Sequence, residues 1–228
     1  MVRKQTGAPA KERLSRERIV DCAIALADAE GLEAVTIRRL AQDQGVTPMA
    51  LYWHFKDKDR LYDGIAERLL GQVVLPPADP GRDWSEQLRE VLDALLAVLR
   101  AHPAVADLVK LRMMLSEPGL EVAEYTLGLL RRAGFSAEQS AQVASQALHA
   151  IVILVTAEPG LKVGEERAAR EERIRQKKAT FAALAPERFP HVLASSDGFT
   201  ECGNEPAYFG LGLDLFVAGV RAVAPGTA

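Results

Sequence analysis

Polar and apolar positions alternate with a helical period along most of this chain. Ile19, Ala23, Leu26 and Ala27 recur at the spacing of one helix face, after Ser15, a capping residue, and before Gly31, a stop. Thr36 caps a second, short helix holding Ile37, Leu40 and Ala41, stopped by Gly45. Thr47 caps a third, with Pro48 at the first helical position, where its missing N–H costs nothing. Asp57 opens a fourth, predicted from about Lys58 to Val74 with Leu61, Ile65, Ala66 and Leu69 turned inward. The stretch PPADPGRD, 76–83, is a break.

Longer amphipathic segments follow at about 84–101, 104–115, 119–133 and 137–157, punctuated by Pro103, Pro118 and Gly134. IVILV, 151–155, has the β-branching of a strand, but the helical pattern before it favours helix. Residues 160–200 are polar and broken, with a charge-rich helix at EERAAREERIRQKK. The last segment, about 205–223, is apolar nearly all round, which predicts burial. A second copy of the chain is the natural cover, with Phe209, Leu213 and Phe216 on the stripe that meets it, beside the helix at 137–157.

The second and third helices carry the first functional signal. Two short helices joined through a glycine turn form a helix-turn-helix, whose second helix fits a DNA major groove. Leu51 and Phe55 are four apart and share a face that can bury itself against Leu40 and Ile65. Pro48, Met49, Tyr52 and His54 are left on other faces, and Trp53 either packs or meets DNA.

Charge refines this picture. The net charge of the 228 residues is −3, which is unusual for a DNA binder, but it is unevenly spread. Residues 1–20 carry +4, residues 1–70 carry +1 and the remainder carries −4. Cys22 sits on an apolar helix face and Cys202 is far from it, so the pair suggests neither a disulfide framework nor a metal site. No signal peptide stands at the N-terminus, and the longest apolar run, Ala147–Ala157, is too short to span a bilayer, so a cytoplasmic protein with no membrane role is expected. P-loop, HExxH and G-x-S-x-G patterns are missing, and the GLG at 210–212 lacks the strand-turn-helix setting of a dinucleotide site. No catalytic residue, cofactor or metal is predicted. A ligand-free architectural DNA binder would need a basic surface, whereas residues 71–228 are acidic.

The block LAQDQGVTPMALYWHFKDKDRLYDGIAERLL, 40–70, with its helical lead-in from about residue 15, resembles the DNA-binding domain of the tetracycline-repressor (TetR) family. Trp84, Ala101-His102, RRAGFS at 131–136, the helix with His149 and EPAYFGLGL are similar, more weakly, to the family's C-terminal domain. The resemblance implies that Arg38 contacts guanine and that Thr36, Tyr52, His54 and Lys58 contact phosphate or sugar. Pro48, Met49 and Ala50 match positions facing base edges, and being largely apolar they suit thymine methyls and groove shape. Thr47 and Trp53 complete the DNA-facing set.

On the ligand side, Val91, Val109 and Met113 stand where the family's tetracycline repressors carry an Asn, a metal-binding His and an Arg, and a second drug-contacting His is missing near Val74. An apolar pocket of Val91, Leu95, Val109, Met113, Leu129 and Tyr125 is expected to take a hydrophobic molecule rather than Mg²⁺-tetracycline. His102 either caps a helix or serves the pocket; His149 is a core or interface histidine, or the pocket's polar handle.

The sequence therefore predicts an all-α chain: a basic flexible arm at 1–14, a three-helix helix-turn-helix DNA-binding domain at 15–70, and a helical ligand-binding and dimerisation domain at 71–228. Its expected function is that of a homodimeric transcriptional regulator that binds a palindromic double-stranded operator and is released by a hydrophobic inducer. It is expected to repress an efflux or biosynthetic gene, the alternative being an activator or a ligand-independent DNA binder of the same fold. The fourth helix, through Leu69–Leu75, is the predicted lever between the two parts.

Overall fold

Ser15 opens the first helix, its hydroxyl accepting from the Arg18 N–H at 3.2 Å, and α1 runs Arg16–Glu30. The computed structural model describes residues 14–160, 165–201 and 205–225; the basic arm, up to residue 13, and Cys202 lie outside them. Thr36 caps α2 (Ile37–Asp43) by accepting from the Arg39 N–H at 3.1 Å. Gly45 turns the chain at φ +62°, a conformation that favours glycine. The third helix, α3, is Pro48–Tyr52; Thr47 holds the cap position, but its hydroxyl takes no capping bond.

Asp57 caps α4 by accepting from the Arg60 N–H at 2.8 Å. This helix spans Lys58–Leu70 and ends four residues short of the predicted Val74. The Gln72 and Val73 N–H groups turn back to Leu69 and Leu70 carbonyls, closing the helix in a tight turn. Helix is disfavoured at Leu75 in any case, because Pro76 follows it, and Val74 is left exposed. The lever is therefore a helix only as far as Leu70, followed by a turn and irregular chain.

That chain is pinned at its far end. Gln87, fully buried on α5 (Trp84–Ala101), donates to the Asp79 and Arg82 carbonyls at 2.9 and 3.2 Å and accepts from the Asp79 N–H at 3.2 Å. The body continues through α6 (Ala106–Arg112), a 3-10 turn at Met113–Leu115, α7 (Glu117–Arg132) and α8 (Ala137–Thr156). IVILV is helical within α8. Next come α9 (Arg167–Ala182), α10 (Pro190–Ala194), α11 (Ser196–Thr200) and α12 (Glu205–Ala222). Among the described residues all regular structure is helical.

Helix α5 packs on α7, α8 and α12, and α12 also packs on α8; α4 meets α1 on one side and α6 and α7 on the other. The last helix corrects the predicted dimer stripe. Phe209 and Leu213 are 2% and 0% exposed within the single chain, so they seat α12 on its own protomer and are closed to a partner. A second apolar stripe lies two residues further on: Leu211 and Leu215 are 61% and 66% exposed, and Ile153 on α8 is as open.

Gly119 marks the tightest joint in the body. A Cβ there would lie 1.9 Å from the Met113 carbonyl oxygen and 3.1 Å from a Leu70 methyl. Gly119→Ala is expected to destabilise by about 1–3 kcal/mol, since backbone must move. Gly128→Ala, in the same helix with open space around it, is expected to stabilise by up to about 1 kcal/mol. Thermal denaturation checks both; equal melting temperatures would show that the joint yields.

Candidate DNA-reading head and ligand cavity

The head's surface is sorted by which side chains its core consumes. Leu51 and Phe55 are buried with Leu40 and Ile65, and the Arg16 guanidinium lies 4.7 Å over the Phe55 ring. This fixes the very short α3 and leaves Met49, Tyr52 and Trp53 exposed at 66%, 48% and 86%. Trp53 therefore does not pack; an exposed tryptophan costs solvation unless a partner covers it. Pro48 and Thr47 are exposed, and Ala50 and His54 are half-buried.

Two adjacent arginines have opposite fates. Arg39 bridges to Glu30 on α1 at 2.8 Å and to Asp43 at 3.1 Å. These hydrogen bonds, Glu30's first, raise its pKa above that of an ordinary arginine. Arg38 is exposed and makes no ion pair among the described residues. The guanidinium left available at the start of α2 is thus that of Arg38, with a five-donor fork suited to guanine. Thr36 spends its oxygen lone pair on the cap and keeps its O–H to donate. The Lys58 ammonium lies 5.1 Å over the Tyr62 ring at the start of α4, where backbone N–H groups also favour phosphate.

In the body, α5, α6, α7 and α8 enclose a cavity of about 300 Å³. Val91, Leu95, Met113 and His149 line it, with Leu92, Val122, Leu127 and the α8 residues Ala144, Ser145 and Leu148. The remaining candidates fall elsewhere. Val109 and Leu129 are buried in the core behind the cavity wall. Tyr125 turns away, its hydroxyl donating to the Pro77 carbonyl at 3.4 Å and lying 3.5 Å from Gln87, and lines an adjoining groove. His102 caps α5, and its Nδ1 sits 2.7 Å from an Asp28 carboxylate oxygen on α1. The α8 wall was missed because that helix is apolar on several faces, and its pattern alone does not say which one meets a cavity.

Arg112 was also missed. It ends α6 immediately before the cavity residue Met113 and reaches across to α4. Its Nε donates to Asp63 at 3.1 Å, its Nη2 to Asp59 at 3.2 Å, and its guanidinium lies 5.4 Å over the Tyr62 ring. The side chain is only 15% exposed.

Comparison with known proteins agrees with this arrangement. Residues 19–65 match the profile of bacterial regulatory proteins of the tetR family. Residues 76–224 match the tetracyclin repressor-like C-terminal domain. The chain belongs to the TetR family. TetR-family members are DNA-binding transcriptional regulators. The Escherichia coli tetracycline repressor protein class C is 33% identical over 211 residues, 92% of this chain and 91% of the relative. A Saccharopolyspora erythraea HTH-type transcriptional regulator is 29% identical over 94% of this chain and 87% of its own length. The Streptomyces coelicolor TetR family protein ActR in complex with actinorhodin superposes with a TM-score of 0.74 at 28% identity, covering 93% of this chain and 99% of that one.

The two arginines of this TetR-family head give a direct test. On an operator selected from random duplexes, Arg38→Ala is expected to cost about 1–3 kcal/mol and to relax preference at one base position. Lys58→Ala is expected to weaken all sequences alike and to lower the salt dependence. Arg39→Ala is expected to lower the melting temperature instead. Operator-variant titrations and thermal melts check all three; an unchanged ranking of operator variants in Arg38→Ala would remove its base-reading role.

Proposed function

We propose that this protein is a transcriptional repressor that holds a palindromic operator as a homodimer and lets go when a largely apolar small molecule fills the cavity in its body. One observation carries the reading: the cavity wall at Met113 adjoins Arg112, which grips α4 of the head. A ligand that reshapes the end of α6 changes the seating of α4 in the same move. In a dimer that tilt alters the distance between two reading helices, which must match successive major grooves about 34 Å apart. A ligand shifts this equilibrium only as far as it prefers the non-binding spacing. The domain division at about residue 70 follows from the same reading, with Lys58–Leu70 shared between the parts. Residues Thr36, Arg38, Thr47, Pro48, Met49, Ala50, Tyr52, Trp53, His54 and Lys58 form the DNA surface. The ActR–actinorhodin complex supports a body that takes a small molecule.

The direct test is release of a fluorescent operator duplex by apolar compounds, read as anisotropy. Mg²⁺-tetracycline is expected to leave the complex intact, because Val91 and Met113 offer neither metal ligand nor hydrogen bond where they line the cavity. Release by Mg²⁺-tetracycline at ordinary inducing concentrations would overturn the apolar-pocket reading.

Assembly has its own test. Leu211 and Leu215 are exposed in the protomer, so Leu211→Asp with Leu215→Asp is expected to leave the helical content of the protomer unchanged. In a dimer the two carboxylates would be desolvated without partners, so the variant is expected to sediment as a monomer and to lose operator affinity. A dimeric, operator-competent variant would place the interface elsewhere.

A further inference from the structure

The start of α4 faces phosphate in the reading above, yet its own charge does not favour phosphate. Residues 56–63 hold Lys56, Lys58 and Arg60 against Asp57, Asp59 and Asp63, so the segment is neutral. Asp59 adjoins Lys58 in the first turn of α4, and 85% of its side chain is open. A neutral segment gains little from the field of DNA, and an exposed carboxylate beside the contact lysine works against it.

One cation changes that balance, and it comes from the body. Arg112, at the end of α6, donates to Asp59 at 3.2 Å and to Asp63 at 3.1 Å. Asp63 has Arg60 as well, at 3.2 Å, whereas Asp59 has no other ion-pair partner among the described residues. With Arg112 seated, the segment and its partner together carry +1. The position of this charge matters as much as its sign. The Tyr62 ring lies 5.1 Å from the Lys58 ammonium and 5.4 Å from the Arg112 guanidinium. The two cations are therefore within about 10 Å of each other, the reach of a charge at 0.1 M salt. Arg112 is only 15% exposed and its N–H groups are turned to the aspartates, so it acts on DNA through its field rather than by touching a phosphate.

We propose that Arg112 is a charge lent by the body to the DNA-binding surface. Seated on α4, it makes the phosphate-facing segment positive; when α6 draws away, Asp59 is left to repel the backbone. Operator release then has an electrostatic part in addition to the change in head spacing. This deepens the reading of α6 as the link between cavity and head, and it rests on the placement of Lys58 against phosphate.

Operator titrations on the full chain, read as anisotropy at about 0.05 M and about 0.5 M salt, test this without any ligand. Arg112→Gln is expected to weaken operator binding about fivefold at the lower salt, with the gap closing at the higher. Arg112→Lys, which keeps the charge and loses the fork, is expected to stay within about twofold of the parent. Arg112→Gln combined with Asp59→Asn restores the net charge without restoring the bond to Asp63, and is expected to regain parent affinity to within about twofold. Glu138→Gln on α8, the same change of charge made in the body, is expected to give Arg112→Gln no recovery. A combined variant as weak as Arg112→Gln, or a gap undiminished at high salt, would show that Arg112 is a tether alone; the repressor reading would stand and this proposal would not. If Arg112→Gln does not melt cooperatively, Arg112→Lys decides: parent affinity supports the lent charge, and its loss overturns it. Unchanged operator binding in Lys58→Ala would remove α4 from the phosphate backbone, and this proposal with it.

Discussion

Helix α4 must belong to two cores at once, and most of the structure follows from that constraint. In thirteen residues it buries Leu61, Gly64, Ile65, Ala66, Leu69 and Leu70. One side closes the head against α1 and Phe55, and the other lies on α6 and α7 of the body. Its polar residues repeat the division. Arg68 reaches Asp21 on α1 at 2.9 Å, while Asp63 receives Arg112 from α6 at 3.1 Å. A helix packed on both sides at interior density cannot bend to absorb a shift on one side, so it passes the shift on.

The contacts joining head to body differ in worth. The Arg112–Asp63 bond is partly shielded, with 15% and 25% of the two side chains exposed, so a charge-assisted bond of about 1.5–3 kcal/mol is reasonable there. The Arg112–Asp59 bond has an aspartate 85% exposed and contributes about 0–1 kcal/mol. His102–Asp28 adds a second tether from the end of α5 to α1. Two polar tethers at separate points resist rotation of the head better than one. The close joint at Gly119, where the Met113 carbonyl and a Leu70 methyl converge, adds a steric stop between them.

The head was legible because its signals are local. Ser15, Thr36 and Asp57 cap helices from their own sequence neighbourhood, and Leu51 and Phe55 identify the inner face of α3 by spacing alone. The end of α4 was misread because hydrophobic residues continue to Leu75; only the tight turn after Leu70 and the proline at 76 reveal that these residues no longer lie on a helix. The body was harder for a different reason. Val109 and Val91 are equally apolar and fully buried, yet only Val91 lines the cavity. The difference is a matter of helix rotation, set by what packs behind each residue. Similarly, α12 carries two apolar stripes. A sequence pattern does not say that Phe209 and Leu213 serve the protomer while Leu211 and Leu215 stay open.

Net charge misleads for this chain because pairing, rather than composition, decides which cations meet DNA. In the head, Arg39, Arg60 and Arg68 are each held by an acidic side chain, and Arg16 lies near Glu67. These arginines help brace the helices, and their neutralised charge adds little to nonspecific attraction for phosphate. Arg38 and the Lys56–Lys58 region are left outside these pairs, free to meet a base edge or the phosphate backbone. A head with few unpaired cations binds arbitrary DNA weakly, which widens the ratio between specific and nonspecific affinity that a regulator must maintain across a genome.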